Sequence, residues 1–155
     1  SGLSGLAAFC LRFGSMTGGR GGMALIERPV EEVAARIAAY GDALSVAAVN
    51  TDRSTVVSGD AASIEALSES LQSEGIFCRR IKVDYASHCA QVDPALPEIR
   101  TQLADIVSQK PALPFYSAVT GLRHTAQLDA EYWCQNLRRT VRFDRAVAAL
   151  LAEGL

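Results

Sequence analysis

The chain is 155 residues long, 49% hydrophobic and 21% charged, a composition that can bury a core and that excludes a disordered polymer. A formal net charge of −2 supplies no broad cationic field, and the arginines of "RR" at 79–80 and "LRRTVRF" at 137–143 are too few to neutralise a nucleic-acid backbone. No apolar run reaches the roughly 20 residues of a membrane-spanning helix, and no leading segment shows the charged-then-apolar pattern of a secretory signal. The expectation is a soluble, cytoplasmic protein with neither nucleic acid nor membrane as partner.

In chain order, "FGSMTGGRGGM" comes first, and its five glycines between Gly14 and Gly22 predict a flexible loop or hinge. "MALIE" at 23–27 reads as a short strand. "RPVEEVAARIAAYG" reads as a helix, with Pro29 near its start, Val30, Val33, Ala34 and Ile37 on one face, and Gly41 as its stop. "ALSVAAVN" at 43–50 and "STVVSG" at 54–59 are β-rich runs joined by the turn-forming "TDR", which predicts an antiparallel hairpin. "DAASIEALSESLQSEG" predicts a helix capped by Asp60, with Ile64, Leu67 and Leu71 at helical spacing and Gly75 at its end. "IFCRRIKVD" follows as a strand. Residues 23–84 therefore run β-α-β-β-α-β, the ferredoxin-like arrangement of two helices on one face of an antiparallel sheet.

Further along, "DPALPEIRTQLADIV" predicts a helix starting between Pro94 and Pro97, "LPFYSAV" a strand ended by Gly121, and "DAEYWCQNLRR" and "RFDRAVAALLAEG" two more helices. These elements leave the ferredoxin-like pattern and are expected to form a second layer, with Tyr132 and Trp133 anchoring the final helix. The fold class is α/β in the α+β sense. The four cysteines, Cys10, Cys78, Cys89 and Cys134, lie far apart without C-x-x-C spacing and read as reduced thiols.

The stretch that points to chemistry is "VDYASHCAQVD" at 83–93. His88 is one of two histidines, and it stands just after the last strand of the β-α-β-β-α-β unit, at a sheet rim where a side chain can face a cleft. The plain alternative is a half-buried histidine that only satisfies a hydrogen bond. His124, in "TGLRHTAQ", reads as a loop residue.

"VDYASHCAQVD" resembles the Tyr-Ala-Ser-His specificity motif of acyltransferase domains in modular type I polyketide synthases. "GRGGM" at 19–23, "LSVAAVNTDRSTVVSGD" at 44–60, "PFYSAVTG" at 114–121 and "YWCQNLRRTVRF" at 132–143 resemble further stretches of that family, in its order. The resemblance implies that residues 23–84 are the small ferredoxin-like subdomain. Residues 1–22 would then be a remnant of the larger, hydrolase-like α/β subdomain with a glycine-rich linker, and residues 85–155 its C-terminal part. It also implies a reaction: an acyl extender unit passes from coenzyme A to a serine, then to the phosphopantetheine thiol of an acyl carrier protein. His88 would be the general base. The donor would be methylmalonyl-CoA in preference to malonyl-CoA, with no intrinsic cofactor and the rest of a multidomain synthase as partner.

Tyr85, Ala86 and Ser87 would shape the acyl pocket, because a serine before the histidine leaves room for an α-methyl branch that phenylalanine would crowd. Arg12, in "FCLRFGSM", is the candidate for pairing with the free carboxylate of the acyl unit, with Arg20 a weaker competitor. Asn50 is a candidate contact for substrate or carrier arm; its plain reading is stabilisation of the turn "NTDR". Cys89 is a poor nucleophile candidate, since chain neighbours point apart.

One departure matters. The family's serine sits in a Gly-His-Ser-x-Gly elbow, and no G-x-S-x-G occurs in this chain. Ser4 and Ser15 lack the elbow pattern, so the isolated chain is expected to be inactive. The competing hypothesis is a non-catalytic ferredoxin-like binding or scaffold module that contacts a carrier protein.

Overall fold

The computed structural model describes residues 19–105, 107 and 112–154. Four strands and two helices build its first part: β1 (Gly21–Ile26), α1 (Val30–Ile37), β2 (Leu44–Thr51), β3 (Ser54–Asp60), α2 (Ala61–Ser73) and β4 (Cys78–Arg80). The sheet order is β4-β1-β3-β2, every pairing antiparallel, as a β-α-β-β-α-β chain requires when both helices cross to one face. β2 and β3 form the expected hairpin, closed where Thr51 pairs with Ser54.

Each helix owes its place to a narrow apolar stripe. On α1 only Val33 and Ile37 are buried, and Ala34, expected on the same face, is exposed. On α2 the buried positions are Ile64, Leu67, Ser68 and Leu71, two turns of a stripe that faces Ala24, Ile26 and Val57 of the sheet. Asp60 caps α2 as expected: its carboxylate accepts from the Ser63 main-chain N–H at 2.9 Å and the Ser63 hydroxyl at 3.0 Å. Those bonds hold the Asp60 carboxyl below its ordinary pKa.

Two sequence expectations are corrected here. Gly21 and Gly22 belong to β1 rather than to a loop. Gly21 is required by close approach: a Cβ there would lie 2.4 Å from the main-chain nitrogen of Ala86. The strand expected over "IFCRRIKVD" pairs only at Cys78–Arg80, because the chain then leaves the sheet toward the His88 loop. The other part of the glycine-rich stretch, 14–18, lies outside the described residues.

The second half contributes α3 (Leu96–Gln102), β5 (Tyr116–Ser117), β6 (Leu122–Arg123), α4 (Ala130–Arg138), β7 (Val141–Arg142) and α5 (Phe143–Ala152). A tight turn at Ala90–Ala95 leads into α3, with Pro97 in its first turn. α3 stops at Gln102, shorter than its sequence pattern. β5 and β6 form a two-residue ladder whose turn contains Gly121 at φ 72°, where a Cβ would meet Arg145 at 2.5 Å. β7 was not expected: it adds to the first sheet as a fifth strand, parallel to β2, pairing Ala48 with Val141 and Val49 with Arg142. The later elements are thus joined to the ferredoxin-like sheet through its own edge.

A second apolar cluster, separate from the first, comprises Val92, Ile99, Leu103 and Cys134, with Trp133 and Leu137 against it. This corrects the expected role of Trp133, which packs between α3 and α4 rather than under the last helix. Tyr132 donates or accepts with Ser117 at 2.8 Å and stacks near His124, ring centroids 4.7 Å apart. His124 is half-buried in that aromatic nest, not a free loop side chain. Among the described residues no helix is long and apolar enough to cross a membrane.

Candidate active site

The site is built on the sheet face opposite the two helices. Side chains alternate along β3, so with Val57 in the helix-facing core, Ser58 looks to the other side, and its cross-strand partner Met23 shares that face. The segment 84–89 lies over this pair. The Gly19 N–H donates to Asp84 O at 2.9 Å, Ala86 is fully buried against Gly21, and the buried Ser58 hydroxyl donates to Ser87 O at 2.6 Å. Ser87 donates weakly to the Met23 sulfur at 3.8 Å.

His88 is the one non-glycine residue with positive φ among the described residues, at 58°. A left-handed backbone costs an L-residue about 1–2 kcal/mol, so something must hold it there. The holder is the C-terminal end of α4. A helix leaves its last carbonyls without intrahelical donors. His88 satisfies two of this end's carbonyls: its N–H donates to Leu137 O at 2.9 Å, and its Nδ1 lies 2.9 Å from Arg139 O.

That second contact sets the imidazole's chemistry. A carbonyl oxygen can only accept, so Nδ1 carries the proton, and in the neutral ring the lone pair sits on Nε2. Burial pushes the His88 pKa below the ordinary imidazole value, and the main-chain carbonyls of Arg139 and Asn136 oppose that shift without reversing it. The ring is therefore neutral at neutral pH, with a fixed tautomer and an unprotonated Nε2. It borders an open groove of about 600 Å³ lined by Ser45, Val46, Val119, Thr140 and three arginines, Arg138, Arg139 and Arg142.

Of the residues singled out from sequence, only His88 lines this groove. Tyr85 is exposed, Ser87 is half-buried over Met23, and Ala86 is sealed under the loop against Gly21 of β1. Asn50 sits at the far end of β2, its Nδ2 donating to Ser54 Oγ at 3.4 Å. Cys89 is buried, 1% exposed. Arg12 lies outside the described residues. The groove residues that sequence reading passed over come from the 44–60 and 132–143 stretches. By sequence, the arginines of 137–143 read as too few for a nucleic-acid patch and as part of a family-like stretch, not as groove residues.

Among the described residues, no three His, Cys, Asp or Glu side chains converge as metal ligands. What the arrangement offers is a positioned neutral base beside a basic, open groove. It can accept a proton from a hydroxyl brought to Nε2 and return it to a leaving group.

Comparison with known proteins identifies the family. The family described as "Acyl transferase domain" matches residues 4–155. The polyketide synthase GfsB of Streptomyces halstedii is 45% identical over 139 residues, covering 88% of this chain and 2% of that protein. A mycocerosic acid synthase-like polyketide synthase of Mycolicibacterium smegmatis is 42% identical over 154 residues, 97% of this chain and 7% of that protein. Among solved structures, the acyltransferase domain from module 8 of the salinomycin polyketide synthase superposes with a TM-score of 0.89 at 41% identity, covering 94% of this chain and 35% of that one. The acyltransferase domain of the polyketide synthase PpsC of Mycobacterium tuberculosis gives 0.86 at 32% identity, covering 91% and 44%. The chain thus spans less than half of these solved domains.

Proposed function

The chain belongs to the acyl transferase domain family, and from that premise we propose that it is the part of a polyketide synthase acyltransferase that carries the general base. In this reading residues 23–84, together with Gly21 and Gly22 of β1, are the small subdomain, and the rest of residues 1–22 and residues 85–155 belong to the larger, hydrolase-like one. The nucleophile is a serine in a Gly-His-Ser-x-Gly elbow supplied by polypeptide outside this chain.

The chemistry follows from the groups. His88 Nε2 takes the serine proton as the hydroxyl attacks the thioester carbonyl of an acyl-CoA. The C–S bond breaks, and the proton returns to the departing coenzyme A thiolate. In the second half-reaction the same nitrogen deprotonates the phosphopantetheine thiol of an acyl carrier protein, which attacks the acyl-serine; the C–O bond breaks, and the imidazolium returns the proton to the serine oxygen. Both halves are thioester–ester exchanges, no oxidant or metal enters, and ping-pong kinetics follow. Arg12 pairs with the free carboxylate of the acyl unit.

Methylmalonyl is preferred over malonyl. The volume argument rests on the residue type at position 87, where a serine, its hydroxyl 3.8 Å from the Met23 sulfur, takes far less room than a phenylalanine would. One methyl group contributes only about 1–3 kcal/mol of discrimination, so other pocket positions share the selection.

The observation that carries the reading is the Nδ1 contact with Arg139 O, which leaves Nε2 free at the groove. The test uses the parent acyltransferase domain. Intact-mass analysis after exposure to malonyl-CoA and methylmalonyl-CoA in competition is expected to show a methylmalonyl adduct predominating. His88→Ala is expected to lower self-acylation by about 10²–10⁴-fold with folding intact. Equal loading of the variant and the wild type would remove His88 from the mechanism.

A further inference from the structure

The groove beside His88 carries more positive charge than its own contacts consume. Arg138 is tied to Asp93, Nε to Oδ1 at 2.5 Å, and Arg142 is tied to Asp144 through two bonds of 2.9 and 2.6 Å. Arg139 is different. Its side chain is exposed and lines the groove, and its guanidinium has no hydrogen-bond or ion-pair partner among the described residues. No carboxylate lines the groove. Ser45, half-buried and lining the same groove, has a hydroxyl that likewise has no partner among the described residues.

We propose that Arg139 and Ser45 form an anion subsite that holds the phosphate of a phosphopantetheine arm while its thioester or thiol lies at His88. The inference rests on the acyltransferase reading and adds to it a handle on the far end of the substrate. Arg139 links the two ends by construction, since its main-chain oxygen fixes the His88 ring and its side chain reaches away into the groove. A phosphate bound there is registered against the base. A guanidinium fork with a neighbouring hydroxyl suits phosphate oxygens, and an exposed position suits a diester that keeps part of its hydration. The acyl carboxylate fits less well, because it sits beside the reacting carbonyl. The phosphate can come from coenzyme A or from the prosthetic arm of a carrier protein, and the chemistry is common to both.

The test compares arms with and without phosphate on the full acyltransferase domain containing this chain. Calorimetric titration with coenzyme A and with pantetheine is made for the wild type, Arg139→Ala, Arg139→Lys and Ser45→Ala. Arg139→Ala is expected to weaken coenzyme A binding about tenfold, Arg139→Lys to recover part of the loss, and Ser45→Ala to cost less. Pantetheine affinity is expected to stay as in the wild type. The same comparison with holo-carrier protein identifies the source, and a selective loss with either phosphate-bearing partner supports the subsite. Equal losses for pantetheine and its phosphorylated forms, or no loss for any, would overturn it. Failure of the acyltransferase reading looks different: the phosphate-dependent binding difference persists while no serine adduct forms from any acyl-CoA.

Discussion

The helix-covered face of the sheet and the face that carries His88 are held together by different forces. On the first, α1 and α2 bury Val33, Ile37, Ile64, Leu67 and Leu71 against Ala24, Ile26 and Val57, and the hydrophobic effect supplies the adhesion. On the second, the loop at 84–89 is secured chiefly by hydrogen bonds to main-chain carbonyls: Ser58 to Ser87, and His88 to Leu137 and Arg139. Apolar packing tolerates small adjustments in angle. Hydrogen bonds to fixed carbonyls do not, and they orient a ring and select its tautomer. The contrast separates what makes the domain stable from what makes one nitrogen reactive.

The contrast can be broken from either side. The largest expected effect is on the helix-covered face: Leu67→Ala removes a side chain that is 2% exposed and is expected to cost about 2–5 kcal/mol, read as a shift in the denaturation midpoint at unchanged slope. If the two faces are independent, acyl transfer by the folded fraction of that variant in the parent domain stays near the wild-type rate.

Gly21→Val should couple the faces. Its Cβ would collide with the Ala86 backbone, so the loop must shift, with a stability cost of about 1–3 kcal/mol and a disproportionate fall in kcat. A variant that loses stability with kcat intact would show that the loop is not aligned from β1.

The smallest effect is in pH. Desolvation lowers the His88 pKa, and the base works only when neutral. Activity of the parent domain is therefore fully present at and above the ordinary imidazole range and falls as pH drops through the lowered value. The acid limb of kcat/KM should lie below that of a free imidazole, and a limb at or above it would contradict the burial of the ring.

The helix-covered unit was legible in the sequence because its determinants are side chains at regular spacing. Asp60 before a 64, 67, 71 stripe announces α2, and "TDR" between two β-rich runs announces the hairpin. The site was legible only in part. His88 stood out by residue type and position, but its anchors are carbonyl oxygens of Leu137 and Arg139, and every residue has a carbonyl. Which of them meets a ring 51 positions away depends on where α4 ends. β7 escaped notice for a related reason: two residues of ladder leave no alternation to read. The shortened β4 shows the converse, an apolar-charged run whose pairing ceases once tertiary demands draw the backbone elsewhere. Arg12, the proposed carboxylate partner, lies outside the described residues.

β7 also decides which border of the sheet stays open to other chains. With Val141 and Arg142 paired to Ala48 and Val49, the middle of β2's margin is covered by the protein's own backbone, and β4 at the opposite end has no outer strand among the described residues. It is three residues long, and Arg79 and Arg80 are exposed on it. Such a margin is too brief and too charged to recruit a neighbouring molecule's strand, so the fold carries its own safeguard against aggregation at the end of the sheet farthest from β7.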